Sequence, residues 1–521
     1  MMLLSQAGRA LGGRLIGPDV LFNAVSTDSR AIAHGDLFVA LKGENFDGSD
    51  FIDSAVRDGA VAAMISEEQG ARIKAQASPL FSCTLLIVPD SSRLALGRLA
   101  AHWRAQFTIP VVAVTGSNGK TTVKEMLASI LRQHTKNDFH DCPLSLRGRV
   151  GVGERTEDFN EQVLATKGNL NNDIGMPLTL LKLRATHRYA VIEMGMNHTG
   201  EIDYLTRLAR PDVAIVNNAS GAHLAGLGSL EAVARAKGEI FAGLSANGIA
   251  VINADDEFAP LWREQAGNRT IIEFALERAV AIHAQWQVRG YGAHIEVDTP
   301  QGSFNADLQV PGMHNVRNAL AATAAAMSLD IPLPVIAAGL EKFSGVSGRL
   351  QRKPALHGAV LIDDTYNANP ASLRSAIKVL MQAAGKKILV LGDMGELGND
   401  AVRLHGEIGA EARDMGVDEL FGLGELSTHT VREFGAGARH FERIEDLLAA
   451  LDKDLDADST VLVKGSRFMR MERVVQHCSC DTLLAKPADC GSSCEAATQA
   501  LTDHAMPFRS GPQGEETCCS H

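Results

Sequence analysis

The stretch "VVAVTGSNGKTT" places Gly116, Ser117, Asn118, Gly119, Lys120, Thr121 and Thr122 directly behind an apolar run. The two glycines allow a tight backbone turn, so several N–H groups and the start of a following helix can face a single anion. Lys120 would then reach the outer phosphates of a nucleotide, and the Thr121 hydroxyl would face Mg2+. The loop is nonetheless short, because the longer standard phosphate loop carries a glycine where Val114 stands. An ordinary glycine turn is the competing explanation. Gly-Lys-Thr opening a helix behind an apolar strand favours the phosphate site.

Other polar residues close apolar runs in the same way. Glu193 ends "YAVIE", where a buried carboxylate is costly unless it meets a metal or a cation. His223 follows "VAIVNNASGA" and could act as a neutral imidazole ligand or a substrate contact. Lys237 lies in "ARAKGEIF", and Asn253, Asp255 and Asp256 close "VINADD". Taken singly, each has an ordinary reading: a satisfied side chain, a solvated lysine, a polar strand-end turn.

The elements that must position these groups are written in the hydrophobic pattern. "VVAVTG", "YAVIEMG", "VAIVNNA" and "GIAVINADD" are continuous apolar runs, which suit strands buried on both faces of a parallel sheet with function at their carboxyl ends. The first hundred residues or so alternate "DLFVALKG"- and "CTLLIVPD"-type runs with alanine-rich helical segments, a small α/β unit. "AVLIDDTYNANP", "KILVLGDMGELG" and "STVLVKGS" repeat the strand-then-turn scheme near the end. The chain thus reads as α/β with units at 1–105, 106–341 and 342–476. Two segments lack this pattern: a polar insertion at about 132–162 and a tail, 477–521, expected without regular structure.

Across 521 residues the formal charge is −12, which gives no general attraction to nucleic acid, so phosphate binding must be local. The start "MMLLSQAGRALGGRL" lacks a basic segment followed by a long apolar one, and no run of eighteen apolar residues occurs. A cytoplasmic protein without membrane insertion is expected. Of eight cysteines only Cys83 and Cys142 precede Cys478, so no disulfide framework is expected in the body. In the tail, C-x-C, C-x3-C and C-C spacings do not make the usual pairs of zinc knuckles.

In order along the chain, "TGSNGKTT", "KGNLNNDIGMPLTLL", "EMGMNHTGEI", "AHLAGLGSLEAVARAKGEIF", "INADD", "PGMHNVRNALAA" and "DDTYNANPASL" together resemble the Mur ligase family of peptidoglycan synthesis. That family's own loop has the form G-x-N-G-K-T/S, which accounts for the missing glycine. The resemblance implies three domains: one for the UDP end of the substrate, a central P-loop ATPase domain with a parallel sheet, and a C-terminal Rossmann-like domain. The Asp-Asn-Pro-Arg stretch of the branch adding diaminopimelate or lysine is absent, as is the Asp-Gly-Ala-His-Asn-Pro stretch of folate polyglutamate ligases. The implied reaction is ATP-dependent joining of D-Ala-D-Ala to UDP-MurNAc-tripeptide through an acyl phosphate, with Mg2+, by a monomer.

Residue by residue, the resemblance implies catalytic roles for Lys120, His223, Lys237 and Arg349, and metal ligation by Thr121, Glu193, His223 and a carbamylated Lys237. It implies ATP contacts from Gly116 through Thr122 and from His314, Asn315, Asn318, Arg349 and Asp364, with Tyr366, Asn367 and Asn369 beside the last. Ser29, Arg30, Lys42 and Gly43 are implied at the UDP end, and Asn171 and Asn172 near the peptide. Alone, Arg30 and Lys42 read as surface charges, and "HNVRN" as a helix cap. "LGDMGELG" and "KGSRFMRME" are implied to face the dipeptide. A non-catalytic protein that keeps the fold is the alternative, because the insertion lies next to the phosphate-loop helix.

Overall fold

The computed structural model describes residues 1–75, 83–137, 161–220 and 227–479. His223, residues 138–160 of the expected insertion and the tail beyond Ser479 lie outside the described residues. Strand Val111–Thr115 shows why the central sheet forms. Val111 and Ala113 pack into one core while Val112 and Val114 pack into another, so an unbroken apolar run buries both faces. Across the sheet the order is Thr270–Phe274, Ile249–Asn253, Val213–Val216, Val111–Thr115, Tyr189–Glu193, Val163–Ala165, and every pairing is parallel. Strands that follow Val111–Thr115 in sequence are laid down on both sides of it. The loops behind it and its two neighbours therefore emerge together, at the crevice where such sheets bind ligands.

The phosphate-loop helix, Lys120–Asn137, runs back from this crevice and packs against helices Met313–Met327 and Leu333–Glu341. The approach is close: a Cβ on Gly339 would stand 2.4 Å from Ile130 Cα, so only glycine fits. The helix continues to Asn137, into the expected insertion, and Arg132 pairs with Glu161 at 2.6 Å. A three-stranded antiparallel sheet, His283–Arg289, Gly292–Thr299 and Gly302–Leu308, packs onto the same side.

Before the central sheet, five strands run in the order Arg14–Ile16, Thr84–Val88, Ala62–Ser66, Asp36–Val39, Ala24–Ser26. Helix Ser92–Arg104, capped by the Ser91 hydroxyl, joins this unit to the central sheet. Trp103 Nε1 donates to Leu183 O at 3.0 Å and Arg104 Nε to Ala209 O at 3.0 Å. One apolar core spans both, with Leu37, Met64 and Leu86 continuous with Val111, Ile192 and Val216.

A third sheet has the order Gln351–Pro354, Val360–Asp364, Ser459–Lys464, Lys386–Gly392, Glu419–Leu423, Ala438–Phe441, antiparallel only at Gln351–Pro354. Its register sets Asp364 opposite Lys464 at adjacent carboxyl ends. The last helix, Glu472–Cys478, buries Val474, Val475 and Cys478, so ordered packing continues beyond residue 476, where the sequence pattern fades. Burial pushes the Cys478 thiol up to about 12, the behaviour of an apolar core residue rather than a reactive one. No helix among the described residues is long and apolar enough to cross a membrane.

Candidate active site

The phosphate loop is shaped by its glycines and braced from the next strand. Gly116 and Gly119 have φ of 153° and 81°, and a Cβ on Gly119 would come within 2.3 Å of Asn318 Oδ1. Asn217 and Asn218, which close strand Val213–Val216, supply the bracing. The Ser117 N–H donates to Asn218 O at 2.9 Å and the Asn118 N–H to Asn218 Oδ1 at 2.9 Å. Asn217 Nδ2 donates to both Asn118 O at 3.0 Å and Asn318 Oδ1 at 2.9 Å, joining the loop to helix Met313–Met327. Lys120 Nζ donates to Gly116 O at 2.8 Å and Ser117 O at 3.4 Å. Its half-buried ammonium is pulled below the usual lysine range by removal from water, which the charge of Glu193 opposes and that of Arg349 reinforces.

Glu193, 1 % exposed, lies beneath this loop. It accepts from Thr121 Oγ1 at 2.9 Å and from Asn171 Nδ2 at 2.8 Å, while its own N–H donates to Thr166 Oγ1 at 3.0 Å. Arg349, from the start of the third domain, donates through Nη2 to the same Thr121 hydroxyl at 2.9 Å. Its guanidinium lies 4.2 Å over the ring of Tyr366, a cation–π contact that fixes its direction. Lys120, Thr121, Glu193 and Arg349 therefore converge from two domains.

Among the described residues no cluster of three or more His, Cys, Asp and Glu could hold a metal. The Thr121 hydroxyl and Glu193 carboxylate are hard oxygen donors side by side, which suits Mg2+ completed by phosphate and water rather than a protein cage. Lys237, at the end of helix Leu230–Gly238, is 1 % exposed and has no carboxylate at ion-pair distance among the described residues. Burial and then the charge of Lys120 drive its pKa well below the ordinary value, so it tends towards the neutral amine.

The third domain closes the other side. The cleft between the central and third domains encloses about 1210 Å³ and is lined by Asn118, Lys120, Glu193, His314, Arg349 and Asp364 among others. Burial pulls His314 down to about 4, with Lys464 and Arg317 adding to the effect, so it is a neutral imidazole at pH 7. Asn315 donates to Pro311 O at 2.7 Å and Asn318 to Asn315 Oδ1 at 3.1 Å, so both amides help to order the start of their helix. Asp364 accepts from Lys464 Nζ at 2.5 Å and from the Leu350 N–H at 3.2 Å; burial raises its pKa and Lys464 lowers it. Asn369 Nδ2 donates to Asn118 Oδ1 at 3.0 Å and so reaches the phosphate loop directly.

Not every expected residue joins this assembly. Asn171 and Asn172 line the cleft, and Asn172 Oδ1 also accepts from the Gly175 N–H at 2.8 Å. Ser29, Arg30, Lys42 and Gly43 do not line it. Arg30 is bound by Asp28 at 2.9 Å and Lys42 by Glu68 at 2.6 Å, both on exposed surface. Asn253, Asp255 and Asp256 do line the cleft, and the two carboxylates also hold turns there: Asp255 accepts from the Leu276 N–H at 2.7 Å and Asp256 from the Ala219 N–H at 2.9 Å. Sequence reasoning missed the bracing by Asn217 and Asn218, whose only signal is the amide pair ending "VAIVNN", and the Lys464 partner of Asp364.

The match to the Mur ligase family runs through nearly the whole described body. Its catalytic-domain model fits residues 21–104, its middle-domain model 114–326 and its glutamate-ligase-domain model 348–467. The UDP-N-acetylmuramoyl-tripeptide–D-alanyl-D-alanine ligase of Escherichia coli is 42 % identical over 91 % of this chain and 97 % of its own. A crystal structure of MurF from Acinetobacter baumannii superposes with a TM-score of 0.78 at 35 % identity, covering 90 % of this chain and 97 % of the other. MurF from Thermotoga maritima, solved in complex with ADP, gives 0.70 at 28 % identity over 88 % and 98 %. With its phosphate loop, Glu193 and Arg349 placed as they are, this chain belongs to the Mur ligase family.

Proposed function

We propose that the protein is an ATP-dependent ligase that joins D-Ala-D-Ala to the terminal carboxylate of UDP-MurNAc-tripeptide, the last cytoplasmic step in making the pentapeptide precursor of peptidoglycan. The observation that carries this reading is the meeting of Lys120, Thr121, Glu193 and Arg349 from two domains. A carboxylate and a γ-phosphate are both anions, and transfer between them requires cationic charge concentrated where they approach. Lys120 and Arg349 are placed to supply it, and Arg349 arrives only when the third domain packs against the loop. Thr121 and Glu193 would hold Mg2+, which when bound adds positive charge to the phosphate oxygens. Transfer forms an acyl phosphate; the dipeptide amine then attacks its carbonyl carbon, a C–N bond forms and phosphate departs.

Supporting contacts follow the same logic. Gly116, Ser117, Asn118, Gly119 and Thr122 would cradle phosphates, and His314, Asn315, Asn318 and Asp364 would meet the nucleoside. Buried and drawn towards the neutral amine, Lys237 suits carbamylation, which would turn it into an anionic metal ligand, the role also expected of His223. Asn171 and Asn172 would face the peptide, and Ser29, Arg30, Lys42 and Gly43 the UDP end on the first domain. The three units, 1–105, 106–341 and 342–476, act as one monomer. The test is phosphate release from ATP. It should require both UDP-MurNAc-tripeptide and D-Ala-D-Ala; strong hydrolysis with either one omitted, or none with both, would sink the assignment.

A further inference from the structure

Where the central domain passes into the third, one residue holds an unfavourable backbone. Leu350, next to Arg349 and 7 % exposed, has φ of 50°, a left-handed conformation that a bulky side chain adopts only where its surroundings impose it. Its neighbours on both sides explain the demand. Val346–Arg349 form a turn closed by the Arg349 N–H on Val346 O at 3.0 Å, and Gly348 O accepts from the Tyr366 N–H at 3.1 Å. Strand Gln351–Pro354 then leaves for the third sheet. Leu350 is the single residue between that turn and that strand.

Two hydrogen bonds hold it, one from each domain. From the third, Asp364 Oδ1 accepts from the Leu350 N–H at 3.2 Å. From the central one, the Tyr291 hydroxyl bonds Leu350 O at 2.7 Å. A carbonyl can only accept, so Tyr291 is the donor; burial pushes its phenol above the ordinary value and keeps that proton in place. Tyr291 stands at the tip of the hairpin between strands His283–Arg289 and Gly292–Thr299, where Gly290 with φ of 60° makes the tight turn. Its ring packs against the third domain's core, which includes Leu350, and the Arg352 guanidinium lies 5.8 Å over it.

This hold bears on Arg349, whose guanidinium must meet Thr121 Oγ1 at 2.9 Å while lying 4.2 Å over the Tyr366 ring. If Leu350 relaxed towards negative φ, the Arg349 backbone would swing with it. A shift of about 1 Å is enough to misplace a charge that must meet a transferring phosphate.

We infer that Tyr291 is a positioning residue for the reaction: reaching over from the central domain, it locks Leu350 in its left-handed form and so aims Arg349 at the phosphate loop. The inference rests on the ligase reading. Tyr291 does not itself line the cleft, so its effect on turnover comes through Leu350.

Steady-state kinetics and amide hydrogen exchange of the full chain test it. Tyr291→Phe keeps the ring and removes only the hydroxyl. It should lower kcat by roughly fivefold to tenfold, the loss of one buried hydrogen bond, and leave KM for UDP-MurNAc-tripeptide and for D-Ala-D-Ala within about twofold. Added to Arg349→Ala, the same change should cost no more than about twofold further, because the group it aims is gone. Exchange over residues 346–353 should be faster in Y291F than in wild type, with the phosphate-loop helix Lys120–Asn137 unchanged. If wild type ligates but Y291F keeps its kcat within about twofold, loses as much beside R349A as alone, or exchanges over 346–353 as wild type does, Tyr291 has no such role and the ligase reading stands. A wild type that does not ligate overturns the ligase reading and the positioning role with it.

Discussion

Lys120 sits folded onto the carbonyls of Gly116 and Ser117, and a phosphate would be a stronger partner for its ammonium than two amide oxygens. Lys120→Ala should therefore lower turnover by about 10²–10³-fold, the usual loss when one group that stabilises transferring charge is removed. The unfolding midpoint should stay close to wild type, because the lost contacts are to its own loop. Activity within a few-fold of wild type would mean that the loop has another task. His314 makes a pH prediction. Its folded pKa of about 4 lies below the ordinary histidine value of about 6.5, so between those values the unfolded chain binds more protons than the folded one. Stability must then fall as pH drops through that window, by on the order of 2 kcal/mol for this half-buried group, and His314→Asn should flatten the slope. Thermal melts of both proteins from pH 7 to pH 4 check it; parallel curves would show that His314 is not the titrating group.

Elements were legible where the signal was local. The apolar run of Val111–Thr115, the two loop glycines and Glu193 at a strand end all lie within single short stretches, and the structure places them at one sheet edge. Less legible were partnerships set by register between distant strands. Asp364 meets Lys464 only because strand Val360–Asp364 lies beside Ser459–Lys464, and nothing in either stretch announces the other. Arg30 and Lys42 pair with Asp28 and Glu68 on exposed surface, partners that their own short stretches do not single out. The final helix misled for a related reason: polar "QHCSC" hides that Cys478 packs beside Val474 and Val475 in the core. That contact can be cut. A chain ending at Gln476 should be less stable than one ending at Ser479 by about 1–2 kcal/mol and melt correspondingly lower, since it loses a buried side chain and the Ala355–Ser479 bridge. Equal melting points would place the end of the fold where the sequence pattern fades.

At the scale of the whole molecule the three sheets are not joined alike. The first and central sheets share one apolar core, in which Leu86 and Met64 are continuous with Val111 and Ile192, and Trp103 and Arg104 bond across the junction. The third sheet has cores of its own on its two faces, and its contacts with the phosphate loop are polar: Asn369 to Asn118 and Arg349 to Thr121. Apolar continuity couples unfolding, whereas a few hydrogen bonds of about 1 kcal/mol each do not. The protein should therefore melt in two calorimetric transitions, one for the first two units together and one for the third. Leu462→Ala empties a fully buried site on the central strand of the third sheet and should cost about 2–5 kcal/mol. It should shift only the third unit's transition, leaving the other within about a degree. A single transition that moves as a whole would mean that the polar clasp couples the domains as tightly as a shared core. Closure of Arg349 onto the phosphate loop would then be a fixed feature of the fold rather than a step that ligands can drive.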